Sequence, residues 1–106
     1  MMENCPLKFR LMEMLDENGP MWTDTIVPKA QGEYGMTTEH GRDMINYDLV
    51  EMVSAGFLCE GECKIDESGD FKKGHLLTEY RLTKLGQRTL EDLRGTIRPQ
   101  KSKPVM

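Results

Sequence analysis

Cys59-x-x-x-Cys63 with His75 downstream, and Asp66-x-Ser68-x-Asp70, are the two groups of residues whose types could hold a metal ion. The first offers three ligands where a closed zinc site takes four, and an alternating pattern over 57–65 puts both cysteines on one strand face with Phe57 and Ile65. Buried core thiols are therefore the expectation. The second begins like a calcium loop, but its sixth position is Phe71 where the loop needs glycine and its twelfth is Leu77 where it needs glutamate. Nucleophilic catalysis has little to work with, since the serines are Ser54, Ser68 and Ser102 and neither His40 nor His75 has an evident nucleophile or orienting partner. The carboxylate pairs Asp16-Glu17, Glu60/Glu62 and Glu91-Asp92 read as solvated faces, and no glycine-rich phosphate cradle or nucleotide fingerprint is present. These residues point to a non-enzyme with no cofactor and no metal.

The elements that must position anything else come from a chain of 106 residues, 38% hydrophobic and 30% charged, which is one domain's length. Three cysteines are too few and too unevenly numbered for a disulfide framework. The longest nearly apolar run, Met52 to Cys59, is far shorter than the ~18 residues of a membrane span, and the start is acidic rather than basic. A cytoplasmic chain without membrane contact is expected. The net charge of -4 divides unevenly: residues 1–74 carry 7 Lys+Arg against 15 Asp+Glu, whereas residues 75–106 carry 7 against 3. Attraction of a polyanion is thereby limited to particular faces.

Pro6 opens a first helix with Leu7, Leu11, Met14 and Leu15 at helical spacing, and Asn18-Gly19-Pro20 stops it. A short apolar link, Met21-Trp22, precedes a second helix that starts near Asp24 or Thr25, so that Pro28 falls in its first turn, and ends between Gly32 and Gly35. Thr37 or Thr38 caps a third helix running to about Ala55, with Ile45, Leu49, Met52 and Val53 inward and Glu39, Asp43, Asn46, Tyr47, Val50 and Ser54 outward. The period then becomes two: Phe57, Cys59, Gly61, Cys63 and Ile65 form the expected buried face of a strand. A loop over 67–74 leads to a return strand, His75 to Leu82, with Leu76, Thr78, Tyr80 and Leu82 on one side. Thr83 caps a fourth helix with Leu85, Leu90 and Leu93 as its stripe.

Helix, extended link, helix, helix, hairpin, helix is the order of an α+β winged helix-turn-helix: a three-helix core, a β-hairpin wing and a C-terminal helix. The segment Tyr47-Asp48-Leu49-Val50-Glu51-Met52-Val53-Ser54-Ala55-Gly56-Phe57-Leu58 resembles a recognition helix running into the first wing strand. Tyr80-Arg81-Leu82-Thr83-Lys84-Leu85-Gly86 resembles the wing exit of PadR-like and MarR-like transcriptional regulators. The resemblance covers roughly residues 6–94, within a winged-helix domain expected over 1–94, while Pro99, Pro104 and the basic side chains from Arg94 onward make residues 95–106 a flexible basic tail.

The resemblance also implies double-stranded DNA as partner, with the third helix in the major groove and the wing on the phosphate backbone. Arg42 and Asn46 have the chemistry to read guanine and adenine edges, and Thr37, Thr38, His40 and Tyr47 to meet phosphates. Lys72 and Lys73 on the wing, with Arg94 and Arg98 toward the tail, would supply the positive charge. The objection lies in the third helix, where Arg42 faces Glu39, Asp43, Asp48 and Glu51 for a charge of -3. The alternative is a winged helix that binds protein through Tyr47, Val50 and Phe71. A homodimer is expected from the two-fold symmetry usual in DNA readers and from the leucine-bearing helix 84–94.

Overall fold

The computed structural model describes residues 6–69 and 71–97. Seven elements follow in order: α1 (Leu7–Asn18), β1 (Met21–Trp22), α2 (Thr23–Tyr34), α3 (Glu39–Ser54), β2 (Leu58–Ile65), β3 (Leu76–Leu82) and α4 (Lys84–Ile97). The apolar periodicity of the helices meets in one core: Phe9, Leu11, Met14 and Leu15 of α1, Ile26, Val27 and Ala30 of α2, and Ile45, Leu49 and Met52 of α3 are all buried. Met12 of α1, Met21 of β1, Leu58 of β2, Tyr80 of β3 and Leu90 of α4 complete it.

Helix α2 begins at Thr23, earlier than its cap-like residues suggest, which moves Pro28 beyond the first turn. Proline there removes one helical hydrogen bond, but its ring lies on the exposed side, where the freed carbonyl can meet water. Thr23 is buried because it joins α2 to the sheet: its Oγ1 donates to the Thr78 carbonyl at 3.1 Å and accepts from the Thr78 N–H at 2.9 Å. The link at Met21-Trp22 is a strand, pairing antiparallel with β3 through Met21↔Tyr80 and Trp22↔Glu79, so the sheet has the order β1-β3-β2.

The hairpin departs from strict alternation. Glu60 pairs with Tyr80 and Cys63 with Thr78, so β2 carries one residue more than β3 across Gly61–Glu62. That bulge reverses the face of every side chain beyond it. Leu58, not Cys59, is the buried residue of the first half. After the bulge Cys63 and Ile65 do return to the Leu58 face, opposite Thr78 and Leu76, but there the hairpin projects from the body and Cys63, Ile65 and Leu76 are exposed. Cys63 is thus a surface thiol 3.8 Å from Thr78 Oγ1, and Cys59 is half-buried; neither is a core residue.

Thr83 turns the chain into α4. Its hydroxyl accepts the Gly86 N–H at 2.9 Å and lies 2.6 Å from the Gly56 carbonyl, locking the start of α4 to the end of α3. Gly86 packs against backbone: a Cβ there would lie 2.1 Å from the Phe57 carbonyl oxygen. Of the expected stripe, Leu90 is buried and Leu93 half-buried, whereas Leu85 faces outward. Helix α4 continues through Ile97, so residues 95–97 are helical rather than tail. Three helices, a hairpin flanked by a short third strand, and a C-terminal helix in this order form a winged helix-turn-helix.

Candidate nucleic-acid interface

Helix α3 is set at its N-terminus by three contacts. Thr38 Oγ1 accepts the Gly41 N–H at 3.0 Å, and Gln31 Nε2 donates to the carbonyls of Met36 at 3.0 Å and Thr38 at 3.3 Å. Gly41 is buried against that turn, where a Cβ would lie 2.5 Å from the Met36 carbonyl oxygen. The turn between α2 and α3 passes through Gly35 at φ 67°, a left-handed conformation that glycine adopts without a Cβ clash. The outward face of α3 then presents Glu39, His40, Asp43, Met44, Asn46, Tyr47 and Val50, all exposed.

The wing is shaped by Asp66, which sequence alternation alone places among solvated residues. It is 4% exposed, and its carboxylate accepts the backbone N–H groups of Gly69 at 3.1 Å, Phe71 at 2.9 Å and Lys72. Its own backbone closes the loop, with Asp66 N–H donating to the His75 carbonyl and Gly74 N–H to the Asp66 carbonyl. An aspartate three residues before Gly69 in a turn-forming run is the signal that could have revealed this role.

With its loop so held, the wing tip lies on the N-terminal turns of α3. The Arg42 guanidinium stands over the Phe71 ring, 5.5 Å from its centroid. Arg42 Nη2 is 3.1 Å from Glu39 Oε2, and Arg42 Nε is 3.7 Å from Asp43 Oδ1. Lys72 Nζ lies 3.8 Å from Glu39 Oε2 and 3.7 Å from Asp43 Oδ1. Wing and helix therefore form one continuous surface, with a narrow cleft of about 50 Å³ between Arg42, Asn46, Lys72 and His75. Phe71 is half-buried in this contact and is not a free apolar anchor.

The sequence-derived candidates thus divide. Thr37, His40, Asn46, Tyr47 and Lys73 are exposed, Thr38 is a helix cap, and Arg42 and Lys72 share two carboxylates. Arg94 belongs to α4 and pairs with Asp16 at 3.0 Å and with buried Glu13 at 3.8 Å, away from the wing. Arg98 lies outside the described residues. Among the described basic groups of the hairpin, Lys64 is drawn to the outer sheet face, its Nζ 4.7 Å from the Trp22 ring centroid. Residues that sequence reasoning missed here are Met44, exposed beside Tyr47, and Asp66.

Elsewhere, an apolar cleft of about 360 Å³ opens between α1 and α4, lined by Phe9, Met12, Met52, Phe57, Leu93 and Ile97 among others. Among the described residues no three His, Cys, Asp or Glu side chains gather as metal ligands, and no helix is long and apolar enough to cross a membrane. The chain is a winged helix-turn-helix by topology. No family model, no curated protein and no solved structure matches it.

Proposed function

We propose that this chain is a transcriptional regulator that binds double-stranded DNA, with α3 entering the major groove and the wing following the phosphate backbone. The observation that carries the reading is the union of α3 and the wing tip in one surface, on which His40, Asn46 and Tyr47 are exposed along the helix and Lys73 beyond it. Asn46 would read adenine, Arg42 guanine, and Thr37, Thr38, His40 and Tyr47 would meet phosphates, with Lys72 and Lys73 along the backbone. Arg94 and Arg98 would add charge only if α4 approaches the duplex. A homodimer joined through α4, acting in the cytoplasm, completes the reading; light scattering at binding concentrations should then give twice the chain mass.

A second reading has its own support. Met44, Tyr47 and Val50 are 47%, 62% and 46% exposed on α3, an apolar strip on a helix of charge -3, which suits a protein surface with basic groups around an apolar centre. Titration with random-sequence duplex DNA at two salt concentrations separates the two. The DNA reading requires binding that weakens steeply with salt. Absence of binding at low salt leaves the protein-partner reading.

A further inference from the structure

We infer that Glu39 and Asp43 act as built-in substitutes for DNA phosphates, holding Arg42 and Lys72 in the free protein and setting how tightly the α3–wing surface binds a polyanion. The inference rests on the DNA reading and adds a regulatory role for two residues of the same surface. Two cations converge on each carboxylate: Glu39 Oε2 lies 3.1 Å from Arg42 Nη2 and 3.8 Å from Lys72 Nζ, and Asp43 Oδ1 lies 3.7 Å from both Arg42 Nε and Lys72 Nζ. A carboxylate shared by a guanidinium and an ammonium occupies the place that a phosphate oxygen takes between the same donors.

The location strengthens this assignment. Glu39 is in the first turn of α3, where exposed N–H groups and the helix dipole favour an anion, whether carboxylate or phosphate. The Arg42 guanidinium also stands over the Phe71 ring and Asp66 holds the Lys72 backbone, so both side chains start from positions beside α3. Arg42 Nε is buried and, among the described residues, meets no hydrogen-bond acceptor, so its 3.7 Å pairing with Asp43 is electrostatic. The carboxylates, at 71% and 58% side-chain exposure, can swing away when a phosphate arrives.

Exchange has a thermodynamic signature. When phosphate displaces Glu39 and Asp43, the freed carboxylates attract cations from solution while the DNA releases its own, so net ion release is smaller than the number of phosphates contacted. Removing the carboxylates should therefore both tighten binding and steepen its salt dependence.

The test is fluorescence anisotropy of a labelled 20-base-pair random duplex with the full chain, comparing wild type, Glu39→Gln/Asp43→Asn, and Glu91→Gln/Asp92→Asn, which removes the same charge from exposed positions on α4. The α3 variant should bind at least tenfold more tightly at low salt, with a slope of log K against log salt steeper by about 1 to 2. Adding Lys72→Ala should abolish most of that gain, and Asp43→Asn alone, which leaves the first-turn Glu39 in place, should give part of it. An equal gain in the α4 control would show a bulk charge effect and overturn the inference. Wild-type affinity and slope in the α3 variant would overturn it while leaving the DNA reading intact. Failure of every protein to bind at low salt would remove both.

Discussion

Arg94 on the last helix lies 3.8 Å through Nε from the Oε2 of buried Glu13 on the first, while the other oxygen of Glu13 accepts from Arg10 Nη1 at 3.0 Å. One carboxylate, 5% exposed, thus joins α1 to α4, and Arg10 extends the network by a two-pronged contact with Glu33 of α2 at 2.8 and 3.0 Å. A buried carboxylate is tolerable only when its partners stay in place. Arg94→Ala should lower stability by about 1 kcal/mol, since half-exposed Arg94 also gives up its 3.0 Å pair with Asp16. Glu13→Ala should cost about 1 to 2 kcal/mol, because largely buried Arg10 keeps its two-pronged contact with Glu33 but loses the 3.0 Å pair with Glu13, and Arg94 loses its tie to Glu13. Urea denaturation measures both, and the DNA salt slope of Arg94→Ala should match that of wild type if the residue serves only as this tie.

Two helical glycines in α4 should respond in opposite directions to the same substitution. A Cβ at position 86 would penetrate the Phe57 backbone, so Gly86→Ala should destabilise by roughly 3 kcal/mol or more, or prevent folding. At Gly95, among the described residues and apart from its chain neighbours and the helix's own backbone, nothing lies within 4 Å of the added Cβ, and Gly95→Ala should stabilise by about 0.5 to 1 kcal/mol through the lower entropy of the unfolded chain. Thermal unfolding of the two variants, followed by circular dichroism, gives the comparison directly.

What could be read before the structure, and what could not, follows the range of the forces involved. Helix faces were legible because Leu11, Met14 and Leu15 on α1 and Ile45, Leu49 and Met52 on α3 recur at a period that tolerates a misplaced end, and the cap at Thr83 with Gly86 behind it is a local signal. The strand phase was not, because one extra residue at Gly61–Glu62 reverses everything after it, and the glycine in mid-strand was its only trace. The candidate site suffered most from distance in sequence. Lys72 meets Glu39 and Asp43 from 33 and 29 positions away, and Arg94 meets Asp16 from 78 positions away. Exposed lysine and arginine read alike in a sequence whether they are free or paired.

The wing loop depends on Asp66, whose carboxylate accepts three backbone N–H groups. Asp66→Ala leaves those donors to find water and should loosen the loop without unfolding the helical core. Amide exchange at Gly69, Phe71 and Lys72 should accelerate at least tenfold, while exchange in α1 and at Leu49 changes little. Loss of protection throughout the molecule would show instead that the wing folds as one unit with the core.

Asp48 has its carboxyl lifted above the ordinary aspartate value, chiefly because its half-buried position disfavours the charged form; Lys8 opposes the shift and Glu51 adds to it. The folded chain therefore holds this proton more tightly than the unfolded one. Stability from the group is full below about pH 4, where the unfolded carboxyl is also protonated, and is lost as pH rises through the raised folded value. At neutral pH the charge at Asp48 opposes folding. Asp48→Asn should raise Tm at pH 7 and leave it nearly unchanged at pH 3; an equal rise at both would mean that packing, not charge, is responsible.

Tyr47 is the most exposed large apolar side chain on α3, at 62%, and contributes no buried surface to the core. Tyr47→Ala should leave stability within about 0.5 kcal/mol of wild type, as surface substitutions away from structural contacts usually do. A tyrosine contacting a phosphate through its hydroxyl would make Tyr47→Phe nearly as damaging to DNA binding as Tyr47→Ala, by several-fold in affinity, because the ring contributes little beyond the hydrogen bond. An apolar anchor for a protein would make Phe nearly neutral, with only Ala harmful. The ratio of the two effects, measured on proteins of equal stability, therefore distinguishes hydroxyl recognition from ring burial at this position.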